Sequence, residues 1–140
     1  MPCLEIVLPK LNREKKQQLA EGLTEVFCSV TGHDASIFGI LFQEYDKDGA
    51  SFGGKLYGEH GTAPYVHFVL YCTRLMRTQK QNLVDALSKT FVETLKEPSW
   101  LPIIHLCEHP YDNVGFNRKL LSDQFEECSK RKFYYELPKD

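Results

Sequence analysis

Residues 1–8, MPCLEIVL, and residues 63–70, APYVHFVL, share one pattern: a proline followed by a short apolar run of strand length. They superpose at an offset of 64 − 2 = 62, which makes Pro2 and Pro64 counterparts. Each run leads to a segment of helical periodicity. Leu19, Leu23 and Phe27 form one apolar stripe and Leu83, Leu87 and Phe91 a second, at 83 − 19 = 64. A second strand-like run follows each helix, residues 37–44 (IFGILFQE) and 101–108 (LPIIHLCE), with Ile40, Phe42 and Glu44 over Ile104, Leu106 and Glu108 at the same offset. The chain is therefore a tandem β-α-β repeat, with units at about 2–62 and 63–110 and a more polar tail, 111–140.

Right-handed crossovers turn each unit into a parallel strand pair covered by its helix. Two such units predict an α+β fold, a four-stranded sheet carrying both helices on one face. Large apolar residues on the other face call for a second cover, so the chain is expected to self-associate. Local signals agree with this layout: Asn12 as an N-cap, Gly32 as a helix stop, Thr78 with Gln81 as a capping box, and Pro98 after the second helix. Glycines between residues 46 and 61 predict a hairpin at 52–57, and a short helix is expected at 119–128.

With 140 residues, 42% of them hydrophobic, the chain suits one domain spanning 1–140. A net charge of -2 with mixed signs offers no basic face for nucleic acid. No apolar run reaches the ~20 residues of a membrane span and no signal peptide is recognisable, so a cytoplasmic protein is expected. Five widely spaced cysteines without a C-x-x-C pair fit reduced thiols, with Cys28 and Cys72 packed. His33, His60, His67 and His109 lack ligand-like spacing, so neither metal nor cofactor is expected. Glu108 and Asp112 read as solvated carboxylates.

Pro2 carries the chemistry. Removal of Met1 converts its nitrogen from an amide into a secondary amine, whose basicity near neutrality an apolar, cationic surrounding would lower further. A neutral amine there is a general base. Arg74 and Arg77, between the third strand and the second helix, suit a carboxylate. His105, on the fourth strand, is a candidate to orient substrate or donate to a developing enolate.

The Pro2 start, the duplicated unit, and Phe42-Gln43-Glu44 followed by Phe52-Gly53-Gly54 resemble the tautomerase superfamily, particularly the group around cis-3-chloroacrylic acid dehalogenase. Thr73-Arg74 and Arg77-Thr78, with Gln79-Lys80 and Leu83, resemble the turn and second helix of malonate semialdehyde decarboxylase. The resemblance implies a homotrimer acting without cofactor on a small 2-oxo or unsaturated carboxylic acid, with Pro2 as base or acid and Arg74 and Arg77 on the carboxylate. The chain departs from the dehalogenase pattern at Phe27, in place of a histidine, and at His105, in place of a tyrosine. It also lacks a clear water-activating glutamate within 112–117, and Ser36 stands near the decarboxylase's aspartate. A tautomerase is thus the first expectation. Hydration or dehalogenation, decarboxylation, and a cytokine-like binding trimer similar to macrophage migration inhibitory factor are the alternatives.

Overall fold

The computed structural model describes residues 2–124 of the chain. Strand β1 (Cys3–Pro9) leads into helix α1 (Arg13–Thr31), a 3₁₀ turn at Ala35–Ile37, strand β2 (Gly39–Tyr45) and a hairpin of β3 (Ser51–Phe52) with β4 (Lys55–Leu56). The second unit repeats the strands, helix and hairpin as β5 (Val66–Cys72), α2 (Arg77–Leu95), β6 (Pro102–Glu108) and a hairpin of β7 (Gly115–Phe116) with β8 (Lys119–Leu120), but its 3₁₀ turn, Tyr111–Asn113, follows β6 instead of preceding it. The long strands form one four-stranded sheet in the order β2-β1-β5-β6. Its outer pairs are parallel and its central pair, β1 with β5, antiparallel. This is the α+β tandem architecture that the repeat predicts.

Alternation along the strands divides the sheet into two faces. Leu4, Ile6, Leu8, Val66, Phe68, Leu70 and Cys72 point inward and are buried under the helices, where Leu19, Leu23, Phe27, Leu83, Leu87 and Phe91 meet them. Phe68 and Phe91 pack edge to face with ring centroids 5.1 Å apart. The helices approach closely at Gly22, where an added Cβ would stand 3.1 Å from the Thr90 side chain. The opposite face is less apolar than the sequence suggests. Leu41 and Ile103 are 55% and 37% exposed there, but the same face carries Glu5, Gln43, His67, Tyr71 and His105.

Both helices have 19 residues and begin 77 − 13 = 64 positions apart. Gly32, with a left-handed φ of 77°, ends α1, whereas Lys96 (φ 56°) ends α2 ahead of Pro98. The capping contact of α2 is displaced two residues from the expected Thr78 and Gln81: the Met76 N–H donates to the Gln79 side chain at 3.0 Å. The expected helix at 119–128 is also not found. Lys119–Leu120 is a hairpin strand, a 3₁₀ turn covers Leu121–Gln124, and the remainder lies outside the described residues. The duplication consequently runs past residue 110. Phe52-Gly53-Gly54-Lys55-Leu56 recurs as Phe116-Asn117-Arg118-Lys119-Leu120, and all four turn residues have positive φ, at 59°, 80°, 49° and 71°. That signature identifies two-residue hairpin loops of one type.

The strand registers correct one sequence alignment. Cys3 pairs with Gly39 and His67 with Ile103, a separation of 36 in both cases. Since Gly39 corresponds to Ile103 at the offset of 64, Cys3 corresponds to His67, and Pro2 to Val66. Pro64 lies two residues ahead of the true counterpart; two prolines before similar apolar runs had favoured the shorter offset.

Candidate active site

Pro2 is buried at the start of β1, and its carbonyl accepts the Gly39 N–H at 3.3 Å. The antiparallel pairing of Cys3 with Tyr71 sets Pro2 level with Cys72, where β5 runs out into the loop ahead of α2. Arg74 follows two residues later, exposed between buried Thr73 and Leu75. Arg77 is the first residue of α2 and is also exposed. The topology therefore brings Pro2 and the arginine loop to one end of the sheet.

Two contacts hold that loop. The Leu75 N–H donates to Glu108 Oε2 at 2.6 Å, and Lys80 Nζ forms an ion pair with Glu108 Oε1. Glu108, read from sequence as a solvated carboxylate, is thus a structural acceptor. An equivalent set stands 64 residues earlier: the Leu11 N–H donates to Glu44 Oε2 at 2.7 Å and Lys16 Nζ to Glu44 Oε1 at 2.8 Å. The hydrogen bonds from Lys16 and Leu11 hold the Glu44 carboxyl below its ordinary pKa. Cys72, beneath the site, is pushed up to about 12, chiefly by burial and then by the charge of Glu108. This thiol packs, as expected, and is not a nucleophile near neutral pH.

The Pro2 end is closed by a small second core that the sequence does not announce. Tyr111, fully buried, packs with Ile37 and Leu121, and Val114 lies against them. The Leu121 N–H to Val114 carbonyl bond, 2.8 Å, fastens this strap. His33 lies on the same side of the fold. Its ring stacks on Phe27 at 5.3 Å, and Phe27 stacks on Phe38 at 4.1 Å, next to the Gly39 that Pro2 engages. Burial, followed by the positive charge of the amino terminus, lowers the His33 pKa to about 4. It is a neutral, buried polar group near the amino terminus, which reading histidines only for metal spacing passes over. Its place directly after the helix stop Gly32 is the sequence signal that could have found it.

His105 stands elsewhere. It lies on the open face, opposite Val69, and its Nδ1 is 2.8 Å from His67 Nε2. Val69 pairs with Glu5, three residues along β1 from Pro2, or roughly 10 Å at ~3.3 Å per residue. Within one chain the topology brings Pro2 and the arginine loop to one end of the sheet, and His105 stands further along the open face. Among the described residues no cluster of three or more potential ligands could hold a metal ion, and no helix is long and apolar enough to cross a membrane.

A family model described as "Tautomerase enzyme" matches residues 2–60, the first of the two units. No curated protein matches the sequence. Among solved structures the chain is similar to Pt0534 inactivated by 2-oxo-3-pentynoate, with 22% identity, 88% of this chain and 98% of that one covered, and a TM-score of 0.76. It is also similar to a wild-type fused 4-OT asymmetric trimer, with 25% identity, 87% and 98% covered, and a TM-score of 0.73. A member of the cis-3-chloroacrylic acid dehalogenase family shares 15% identity over 93% of this chain and 96% of its own, with a TM-score of 0.71.

Proposed function

The chain belongs to the tautomerase superfamily, and from that premise we propose that it is a cofactor-independent tautomerase of a small 2-oxo or unsaturated carboxylic acid, with Pro2 as the proton carrier. The observation that supports the reading is the strand register that sets Pro2 beside the loop bearing Arg74. With Met1 removed, the Pro2 amine stands in a buried position at the sheet end that carries the Arg74 loop. Both features disfavour its charged form and keep its lone pair available. The neutral amine takes a proton from the carbon next to the ketone, and Arg74, with Arg77, holds the carboxylate. The ammonium of Pro2 then returns the proton to oxygen or to another carbon of the conjugated system, and the amine is regenerated.

The fused 4-OT trimer supports a homotrimer as the working assembly. No observation on the described residues favours hydration, dehalogenation, decarboxylation or cytokine-like binding over proton transfer.

The test is the nitrogen itself. Wild type, Pro2→Ala and a form retaining Met1 are assayed with the enol of phenylpyruvate, after mass spectrometry of each amino terminus and circular dichroism of each fold. Activity should fall in that order, because an amide lone pair is delocalised into its carbonyl and accepts no proton near neutrality. 2-Oxo-3-pentynoate, which inactivates Pt0534, is an electrophile for an amine and should add one reagent mass to the peptide beginning at Pro2. Wild-type turnover by a folded, Met1-retaining protein would remove Pro2 from the mechanism.

A further inference from the structure

We propose that Glu108, with Lys80, is a positioning clamp that sets Arg74 over the Pro2 end of the sheet; this rests on reading Arg74 as the carboxylate anchor. Arg74 is one exposed residue between two buried ones, Thr73 and Leu75, so its direction follows from the backbone on either side. On one side the Cys72 carbonyl accepts the His109 N–H at 2.9 Å. On the other the Leu75 N–H is taken by Glu108 and the next N–H, that of Met76, by Gln79. Lys80 binds the second oxygen of Glu108, which stops the carboxylate from rotating away. Charge assistance makes this the strongest restraint on the loop. A negative group ahead of the first turn of α2 also complements the helix dipole.

The duplicated unit separates positioning from stability. Glu44 accepts the Leu11 N–H with one oxygen and Lys16 Nζ with the other, on the corresponding loop. The counterpart of Arg74 there is Lys10 (74 − 64 = 10), which is paired with Asp46 at 3.3 Å. If the clamps only stabilise the fold, removing either has the same effect. If Glu108 directs Arg74, only its removal disturbs the handling of a carboxylate.

The experiment compares the full-length wild type with Arg74→Ala, Glu108→Ala, Glu108→Gln and Glu44→Ala, using the enol of phenylpyruvate and its methyl ester. Glu108→Ala should raise KM for the acid about tenfold while kcat changes little, and should leave turnover of the ester unaltered. Glu108→Gln, whose amide oxygen can still accept the Leu75 N–H but whose NH2 cannot pair with Lys80, should restore only part of the loss. Glu44→Ala should lower the melting temperature as much as Glu108→Ala but leave KM at the wild-type value. The Arg74→Ala, Glu108→Ala double variant should be no worse than Arg74→Ala alone, because both act on one interaction. Should Glu108→Ala fail to fold, Lys80→Met set against Lys16→Met asks the same question. Equal KM values for the Glu108 and Glu44 variants, or for that lysine pair, would overturn the clamp. An unchanged KM in Arg74→Ala would instead overturn the anchor, a separate result.

Discussion

His33 and Phe27 stack with centroids 5.3 Å apart and planes 21° from parallel, closing the end of α1 against the side of the fold where the amino terminus lies. The stack has a pH consequence. Burial, then the amino-terminal charge, lowers the His33 pKa from 6.5 to about 4. The unfolded chain takes up a proton near the ordinary value, which the folded protein accepts only at the lower one. Stability from this group is complete above pH 6.5 and is lost as pH falls from 6.5 towards about 4. Urea denaturation at a series of pH values should show this loss, and His33→Gln should flatten it over that window. An unchanged slope in the variant would assign the acid sensitivity to other groups.

The second hairpin carries strain that the first avoids. Gly53 and Gly54 adopt positive φ without steric cost, but Asn117 and Arg118 hold the same conformation at 49° and 71°. Arg118→Gly should therefore stabilise the protein by up to about 1 kcal/mol, and Gly54→Arg should destabilise it by a similar amount. Denaturant midpoints of the two variants check the pair. Opposite signs are the expected outcome, and equal losses would mean that the arginine side chain makes a compensating contact.

The repeat was legible because its signals are periodic and local. The stripe of Leu19, Leu23 and Phe27 repeats at three- and four-residue spacings, and its copy 64 positions later shows the same burial. Glu44 and Glu108 aligned within that repeat, yet their role stayed hidden. Each finds its partners, a lysine and a backbone N–H, 28 or more residues away, and one-dimensional spacing carries no record of such a contact. Tyr111 was obscure for a related reason. Its burial depends on Ile37, at the opposite edge of the sheet, so a polar-looking tail contained the residue that closes the Pro2 end. The Pro2 alignment failed on chemistry: proline marks strand entry in both units, and two similar starts outweighed a register that only paired strands reveal.

The uncovered sheet face leads to the assembly prediction. Leu41 and Ile103 remain 55% and 37% exposed on a surface that also holds the His67–His105 pair and Glu5. The proposed homotrimer would bury this face, and light scattering should then return three times the 16.2 kDa chain mass. Leu41→Glu places a second carboxylate opposite Glu5, its register partner on β1, and should shift the protein towards monomer. A wild-type monomer at micromolar concentration would contradict the trimer.

Arg74 and Arg77 are separable by substitution although they lie three residues apart. Arg74 stands on the loop between β5 and α2, two positions beyond the residue level with Pro2, on backbone fixed from both sides. Arg77 is already the first residue of α2, one step further from the strand end. A bidentate contact depends on direction as well as charge, so the arginine on the fixed loop should carry more of the carboxylate interaction. Losing a hydrogen bond to a charged group costs about 1.5–3 kcal/mol, or roughly ten- to a hundredfold in kcat/KM. Arg74→Ala should show a loss in that range on the enol of phenylpyruvate and Arg77→Ala a smaller one. Arg74→Lys separates the two contributions, because it keeps the charge but not the planar fork, and should fall between wild type and Arg74→Ala. If Arg77→Ala is the more damaging while its melting temperature is unchanged, the anchor lies at the helix start and the roles of the two arginines are exchanged.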